Sequence, residues 1–220
     1  MSNGKIIAFE GLDGCGKDTQ IDLLKEYFEC NGIDYKYIPQ LETPIGKLTR
    51  KEYLSNKIEN FPYRSRVNEL LFTADRLQYV FGPGGVLDSV NDGKIVILNR
   101  FVISGIVYAL YDKGEITSSS FEKYALYIKE LNKPILESAC PDITFYLKLS
   151  PHDSIERIKS RSNKKEFYED DSFALKLYEK FEYIIHSEKR RKQCIVEIDG
   201  NKPIDVIQKC IRENINKIIQ

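Results

Sequence analysis

Gly11-Leu-Asp-Gly-Cys-Gly16-Lys17 follows directly on an apolar run, Ile6-Ile-Ala-Phe9, and leads into a helix-like stretch at residues 19–30. A short buried strand, a glycine-spaced loop closed by lysine, and then a helix predict a phosphate cradle of the form G-x-x-x-x-G-K. The glycines let the backbone wrap closely around a polyphosphate. Its amide N–H groups and the helix start supply partial positive charge, and Lys17 adds a full one. The position after the lysine, where a Ser or Thr hydroxyl ordinarily binds Mg²⁺, is Asp18 instead.

Outward from this loop, short apolar runs alternate with longer helical periods. The strand candidates are 5–10, 34–38, 95–98, 143–149 and 195–198, apolar nearly throughout, as parallel strands covered on both faces should be. Helical candidates lie at 19–30, 66–80, 104–111, 121–138, 154–160, 173–191 and 204–218. This alternation predicts a single α/β domain over 1–220: a three-layer, doubly wound sandwich around a five-stranded parallel sheet. Phe81-Gly-Pro-Gly-Gly85 should break a helix. Residues 160–171 are polar and charged between two helices and read equally as a surface loop or a lid over the site. Ligands of such sheets sit at the carboxyl ends of the strands.

Composition narrows the function classes. The 220 residues carry 33 basic and 33 acidic side chains, so nothing suggests a broad electrostatic grip on nucleic acid or membrane, and anion binding must be local. The five cysteines (Cys15, Cys30, Cys140, Cys194, Cys210) are scattered without metal-ligand spacing, which fits reduced thiols and a cytoplasmic expectation. No apolar run approaches the ~18 residues needed to span a bilayer. His152 and His186 fall in charged helical stretches and are expected at the surface, leaving no Ser–His–Asp set.

Several further segments resemble one family. Phe9-Glu-Gly-Leu-Asp-Gly-Cys-Gly-Lys-Asp-Thr-Gln20, Leu70-Leu-Phe-Thr-Ala-Asp-Arg76, Asn99-Arg-Phe-Val-Ile-Ser104-Gly-Ile-Val-Tyr108, Pro141-Asp-Ile-Thr-Phe-Tyr-Leu147 and Glu166-Phe-Tyr-Glu169 are similar, in order, to elements of the thymidylate kinases. These are P-loop nucleoside monophosphate kinases. The resemblance implies a P-loop NTPase fold and Mg²⁺-dependent transfer from ATP to a deoxynucleoside monophosphate, dTMP first. It also implies a homodimer packed through helices. Gly11, Gly14, Cys15, Gly16, Lys17, Asp18 and Thr19 would then hold ATP. Asp13 would reach the acceptor's sugar 3′-hydroxyl, Phe72 would stack on its base, and Arg76 would face base or phosphate. Arg100 would hold the acceptor phosphate, Ser104 and Tyr108 would line the pocket, and Arg161 would come over the transferring phosphoryl group, with Lys165 next in line.

Each has a plainer counterpart: Phe72 and Tyr108 as core, Arg76 paired with Asp75 or Glu69, Ser104 as a helix cap, Asp13 as a turn residue. Other departures from the family pattern accompany Asp18. The carboxylate expected at the end of the third strand is Asn99, its tyrosine neighbour is Phe101, and residues 39–46 lack an arginine for the acceptor phosphate. In the lid segment Phe167 stands where a second arginine is usual. Asp18 and Asn99 together read as a compensated swap that keeps a Mg²⁺ site, since the ion accepts carboxylate or amide oxygen. The open alternatives are a kinase for a different or modified nucleotide, and a nucleotide-binding homologue with impaired catalysis.

Overall fold

Strands β1 (Lys5–Glu10), β2 (Tyr35–Ile38), β3 (Ile95–Asn99), β4 (Ile143–Lys148) and β5 (Ile195–Asp199) form one sheet in the order β2-β3-β1-β4-β5. Every neighbouring pair is parallel. The computed structural model describes residues 4–54, 64–108, 118–161, 171–190 and 193–219. The expected three-layer α/β sandwich is therefore observed, with strand ends within a residue of those read from the apolar runs.

The period of the strand decides which layer each side chain enters. On β1, Ile6 and Ala8 face one core and Ile7 and Phe9 the other. The second core is closed by α1 (Lys17–Cys30) and α10 (Ile204–Ile219). The first helix buries Ile21, Leu24 and Phe28, and the last buries Ile207, Ile211 and Ile215, each set recurring along a single face. The first core is covered by helices from the middle of the chain, including α3 (Arg64–Phe81), α4 (Val86–Asn91), α5 (Val102–Tyr108), α6 (Ser118–Leu131), α7 (Lys133–Ser138) and α9 (Asp171–Arg190). Helix α8 (Pro151–Arg161) comes directly after β4.

Three differences from the sequence reading have local causes. The span expected as one helix at 121–138 is two, because Pro134 has no N–H to continue the ladder. Residues 44–54, given no helix, form α2 (Pro44–Leu48) and a π-helical turn (Thr49–Leu54). Thr43 caps α2 by accepting from the Gly46 N–H at 3.1 Å, with Pro44 in the first turn. Helix α4 is likewise absent from the sequence reading. It begins just beyond the Gly-Pro-Gly-Gly segment that ends α3 at Phe81, the break the glycines and proline predict. Of the lid candidate at 160–171, Ser160 and Arg161 end α8 and Asp171 begins α9, while 162–170, with Lys164, Lys165, Glu166, Phe167 and Glu169, lies outside the described residues, and so does the Arg161 side chain.

Candidate active site

Parallel pairing of β1 with β3 sets Phe9 opposite Asn99, so the chain leaves both strands side by side at one edge of the sheet. The glycine loop comes off the end of β1, and Arg100 comes off the end of β3. At Gly14 the backbone has φ 76°, and a Cβ there would lie 2.8 Å from the Ser154 carbonyl oxygen, so no other residue fits without displacement. Gly16, at φ 97°, opens α1 from a left-handed conformation. Lys17, in the first turn of that helix and 5% exposed, turns its ammonium over the loop. It donates to the carbonyls of Leu12 at 2.7 Å and Gly11 at 3.1 Å. Thr19 is half-buried in the same turn. The Cys15 side chain is buried in the second core, so what it offers a ligand is its backbone. Ser154 of α8 anchors the loop from behind, its hydroxyl donating to the Asp13 carbonyl at 2.6 Å.

Arg100 is one of two non-glycine residues with positive φ, at 67°, among the described residues. Such a conformation persists only where surroundings enforce it. Here the Arg100 N–H bonds the Phe9 carbonyl at 2.9 Å, and the guanidinium is fixed from several sides. It donates to the Gly11 carbonyl at 2.8 Å, to Ser104 Oγ at 3.0 Å and to the Asp13 carboxylate, and lies over the Tyr108 ring at 5.1 Å. Burial works against the charge of Arg100, and Tyr108, Asp13 and Glu10 more than offset it, raising its pKa further. The Tyr108 hydroxyl also donates to Asp13 at 3.1 Å. Desolvation pushes the Asp13 carboxyl up, but Arg100, Lys17 and these hydrogen bonds outweigh it and hold it below the ordinary carboxylate range.

Glu10 organises this cluster and was missed by sequence reasoning. Its side chain is fully buried. Oε1 accepts from the backbone N–H groups of Phe101 at 2.9 Å and Ser104 at 3.2 Å, and Oε2 accepts from the Ser104 hydroxyl. The carboxylate thereby satisfies two of the orphan donors at the start of α5. Ser104 is consequently not the cap of that helix, which begins at Val102; it links Glu10 to Arg100. The available signal was a carboxylate ending an otherwise apolar strand.

Asp18 and Asn99, far apart in sequence, meet. The Asn99 amide nitrogen donates to Asp18 Oδ1 at 2.7 Å and to the Tyr37 hydroxyl oxygen at 3.3 Å. Asn99 Oδ1 is buried without a hydrogen-bond partner. In this arrangement the amide orients the carboxylate rather than turning its own oxygen to the same point. A polar cleft of about 350 Å³ opens here, lined by Asp13, Gly14, Gly16, Lys17, Asp18, Asn99 and Arg100, with Tyr37, Gln40, Glu42 and Arg50 from the β2 side.

The α3 residues divide. Phe72 is half-buried and belongs to neither core, unlike a packing residue. Tyr108, on α5, packs against the first core, edge-on to Phe181. Arg76 does not line the phosphate cleft. It is 5% exposed and donates to Glu69 Oε1 at 3.1 Å and Asn132 Oδ1 at 2.8 Å. Gly105 makes room for it, since a Cβ there would lie 2.3 Å from the guanidinium. Burial raises the Glu69 carboxyl pKa against the pull of Arg76, Thr73 and Asn132. Nothing in the sequence pointed to Asn132. His152 and His186 are exposed on α8 and α9, as expected.

Comparison with known proteins gives a consistent result. The family model described as thymidylate kinase matches residues 9–211. The thymidylate kinase of Caldanaerobacter subterraneus subsp. tengcongensis is 28% identical over 218 residues, covering 99% of this chain and 97% of the relative. That of Thermoanaerobacter sp. (strain X514) is 31% identical over 217 residues, covering 98% and 99%. A solved thymidylate kinase from Candida albicans, described as revealing the origin of broad substrate specificity, superposes with a TM-score of 0.75 at 30% identity, covering 99% of this chain and 94% of its own. With a glycine loop, its lysine and a buried arginine converging where β1 and β3 end, this chain belongs to the thymidylate kinase family of nucleoside monophosphate kinases.

Proposed function

We propose that this protein transfers the terminal phosphoryl group of ATP to dTMP, giving dTDP and ADP, with Mg²⁺ as the metal. The observation carrying this reading is that Lys17 and Arg100 share one cleft with the glycine loop at the carboxyl ends of β1 and β3. An oxygen of the acceptor phosphate attacks the γ-phosphorus, the bond from that phosphorus to the bridging oxygen of ADP breaks, and no general base is needed because the nucleophile is already ionised. Such a reaction asks the protein for positioning and charge neutralisation. Lys17 and the α1 N-terminus would hold the donor phosphates, and Arg100, aimed by Ser104 and Asp13, the acceptor phosphate. Tyr108 and Asp13 would line the sugar side and Phe72 the base side, with Arg76 stiffening α3 behind it. Arg161 and the segment after it remain our candidates for closing over the phosphoryl group.

The residues fit a magnesium ion. Asp18 is an exposed carboxylate at the cleft, a hard oxygen donor held in place by the Asn99 amide nitrogen at 2.7 Å. No cluster of three or more His, Cys, Asp or Glu exists among the described residues, as suits an ion held chiefly by phosphates and water. When bound, it would neutralise charge on the donor phosphates. Asp18 would hold it, with Asn99 orienting Asp18.

An ADP-release assay over dTMP, dUMP, dCMP, dGMP and a blank without acceptor tests the proposal. Turnover with dTMP is expected, and Lys17→Ala should lower it about a hundredfold or more. Turnover with another acceptor alone would favour the second reading, a kinase for a different nucleotide, which the arginine-free segment 39–46 supports. We also propose a homodimer. Leu70, Leu77 and Phe81 are exposed on α3 at spacings that share one face. A cytoplasmic setting accords with free cysteines and with the absence, among the described residues, of a helix able to cross a membrane.

A further inference from the structure

We infer that Phe181 of α9 is a positioning residue for the acceptor site, acting through the ring of Tyr108; this rests on the kinase reading above. Tyr108 makes three contacts at once. Its hydroxyl donates to Asp13 at 3.1 Å, and its ring lies under the Arg100 guanidinium at 5.1 Å. The ring also meets that of Phe181 edge to face, with centroids 6.4 Å apart and planes at 81°. The first two contacts reach the groups that would face the acceptor's sugar and phosphate, and the third comes from behind, out of the first core. The Asp13 side chain is 45% exposed on its loop, so the aim of its carboxylate depends on the grip of Arg100 and Tyr108. A Tyr108 ring free to tilt would turn its hydroxyl from Asp13 and its face from Arg100 together.

Phe181 is itself held firmly. It is fully buried and stacked on Tyr146, with centroids 5.6 Å apart and planes at 23°. Tyr146 stands on β4 in register with Glu10 of β1, and register partners point to the same face of a sheet. The stack therefore rests beside the carboxylate that anchors α5. The Tyr146 hydroxyl donates to Glu182 Oε1 at 3.1 Å, and Lys148 donates to Glu182 Oε2, which ties α9 to β4 at the residue next to Phe181. The row Tyr146, Phe181, Tyr108 thus runs from the sheet to Asp13 at the cleft. Close packing leaves its rings little space to relax into, so a change at Phe181 is felt at Tyr108. Phe173, Leu177, Phe181 and Ile184 recur along one buried helical face, which by itself marks Phe181 only as core. Its edge contact with Tyr108 adds the second role.

Titration calorimetry with dTMP and Mg-ADP, together with urea unfolding, tests this on the full chain in Phe181→Leu and Phe181→Met. Phe28→Leu is the control, since it removes an equally buried ring from the other core. Phe181→Leu should weaken dTMP binding about three- to tenfold, the scale of an aromatic edge contact, and leave Mg-ADP within about twofold. Phe181→Met, whose sulfur can still meet a ring edge, should lose less. Phe28→Leu should be destabilised comparably, with both affinities kept within about twofold. Tyr108→Phe should weaken dTMP binding and lower the urea midpoint, but by less than half as much in the Phe181→Leu background, where the hydroxyl has already lost its aim. An unchanged dTMP affinity in Phe181→Leu, an equal loss in Phe28→Leu, or an undiminished Tyr108→Phe effect in the Phe181→Leu background would overturn the assignment while leaving the kinase reading intact. A wild-type protein that binds no dTMP would overturn the acceptor reading of the cleft and the role of Phe181 with it.

Discussion

Replacing Glu10 with glutamine isolates the group that orders the acceptor side. The native carboxylate, fully buried, accepts from two backbone N–H groups and from the Ser104 hydroxyl. A glutamine oxygen can keep the two amide bonds in weaker, neutral form. Its NH₂ cannot accept from Ser104, which must reverse its own bond. The net loss is one hydrogen bond to a charged group, about 2–3 kcal/mol. For a chain of this size that lowers Tm by roughly 4–12 °C. Because Ser104 also bonds Arg100, the guanidinium should lose orientation, and kcat/KM for the acceptor should fall about tenfold with KM for ATP unchanged. Thermal unfolding followed by circular dichroism and an ADP-release assay read the two effects. A purely structural role would not separate the substrates in this way. Glu10→Gln and Ser104→Ala should also be non-additive by at least ~0.5 kcal/mol, since the residues are in contact. Additive losses, or a Tm within about 1 °C of wild type, would show that Glu10 does not act through Ser104.

Two other expectations concern the same cleft. Asp18→Ser should reduce Mg²⁺-dependent turnover and Asn99→Asp in that background should recover part of it, because the two side chains bond at 2.7 Å; independent losses in the double-mutant cycle would refute the coupling. For Asp13 the folded pKa is depressed, so its stabilisation is full above the unfolded value near ~3.9 and is lost as pH falls through the folded value. Asp13→Asn should therefore be less stable than wild type at about pH 6, with a gap that closes in acid; a gap that persists undiminished to about pH 2 would exclude the ion pair with Arg100 as its source.

Local sequence carried the layers and the phosphate loop. Period-2 and near-continuous apolar runs give strands whichever way the chain turns, and glycines with positive φ at Gly14 and Gly16 are demanded by the loop itself. The five strands read from these runs are those observed, and Lys17 lies where a strand–loop–helix unit must put it, whereas α4 was not read at all. Chain-local signals also marked the helix stop at residues 82–85, but α2 and the π-helical turn rest on a cap and on contacts to α3 that no nearby pattern announces.

Only the tertiary structure decided the relations between residues distant in sequence. Parallel pairing of β1 and β3 makes Glu10 the anchor of α5, clamps Arg100 between Gly11 and Asp13, and turns Asp18 and Asn99 into partners. It also pairs Arg76 with Glu69 and Asn132, two residues that its own neighbourhood in the chain could not single out. A sequence dictates which backbone conformations are cheap at each position. Which buried charge meets which partner depends on strand order and register, and those emerge only when both cores close at once.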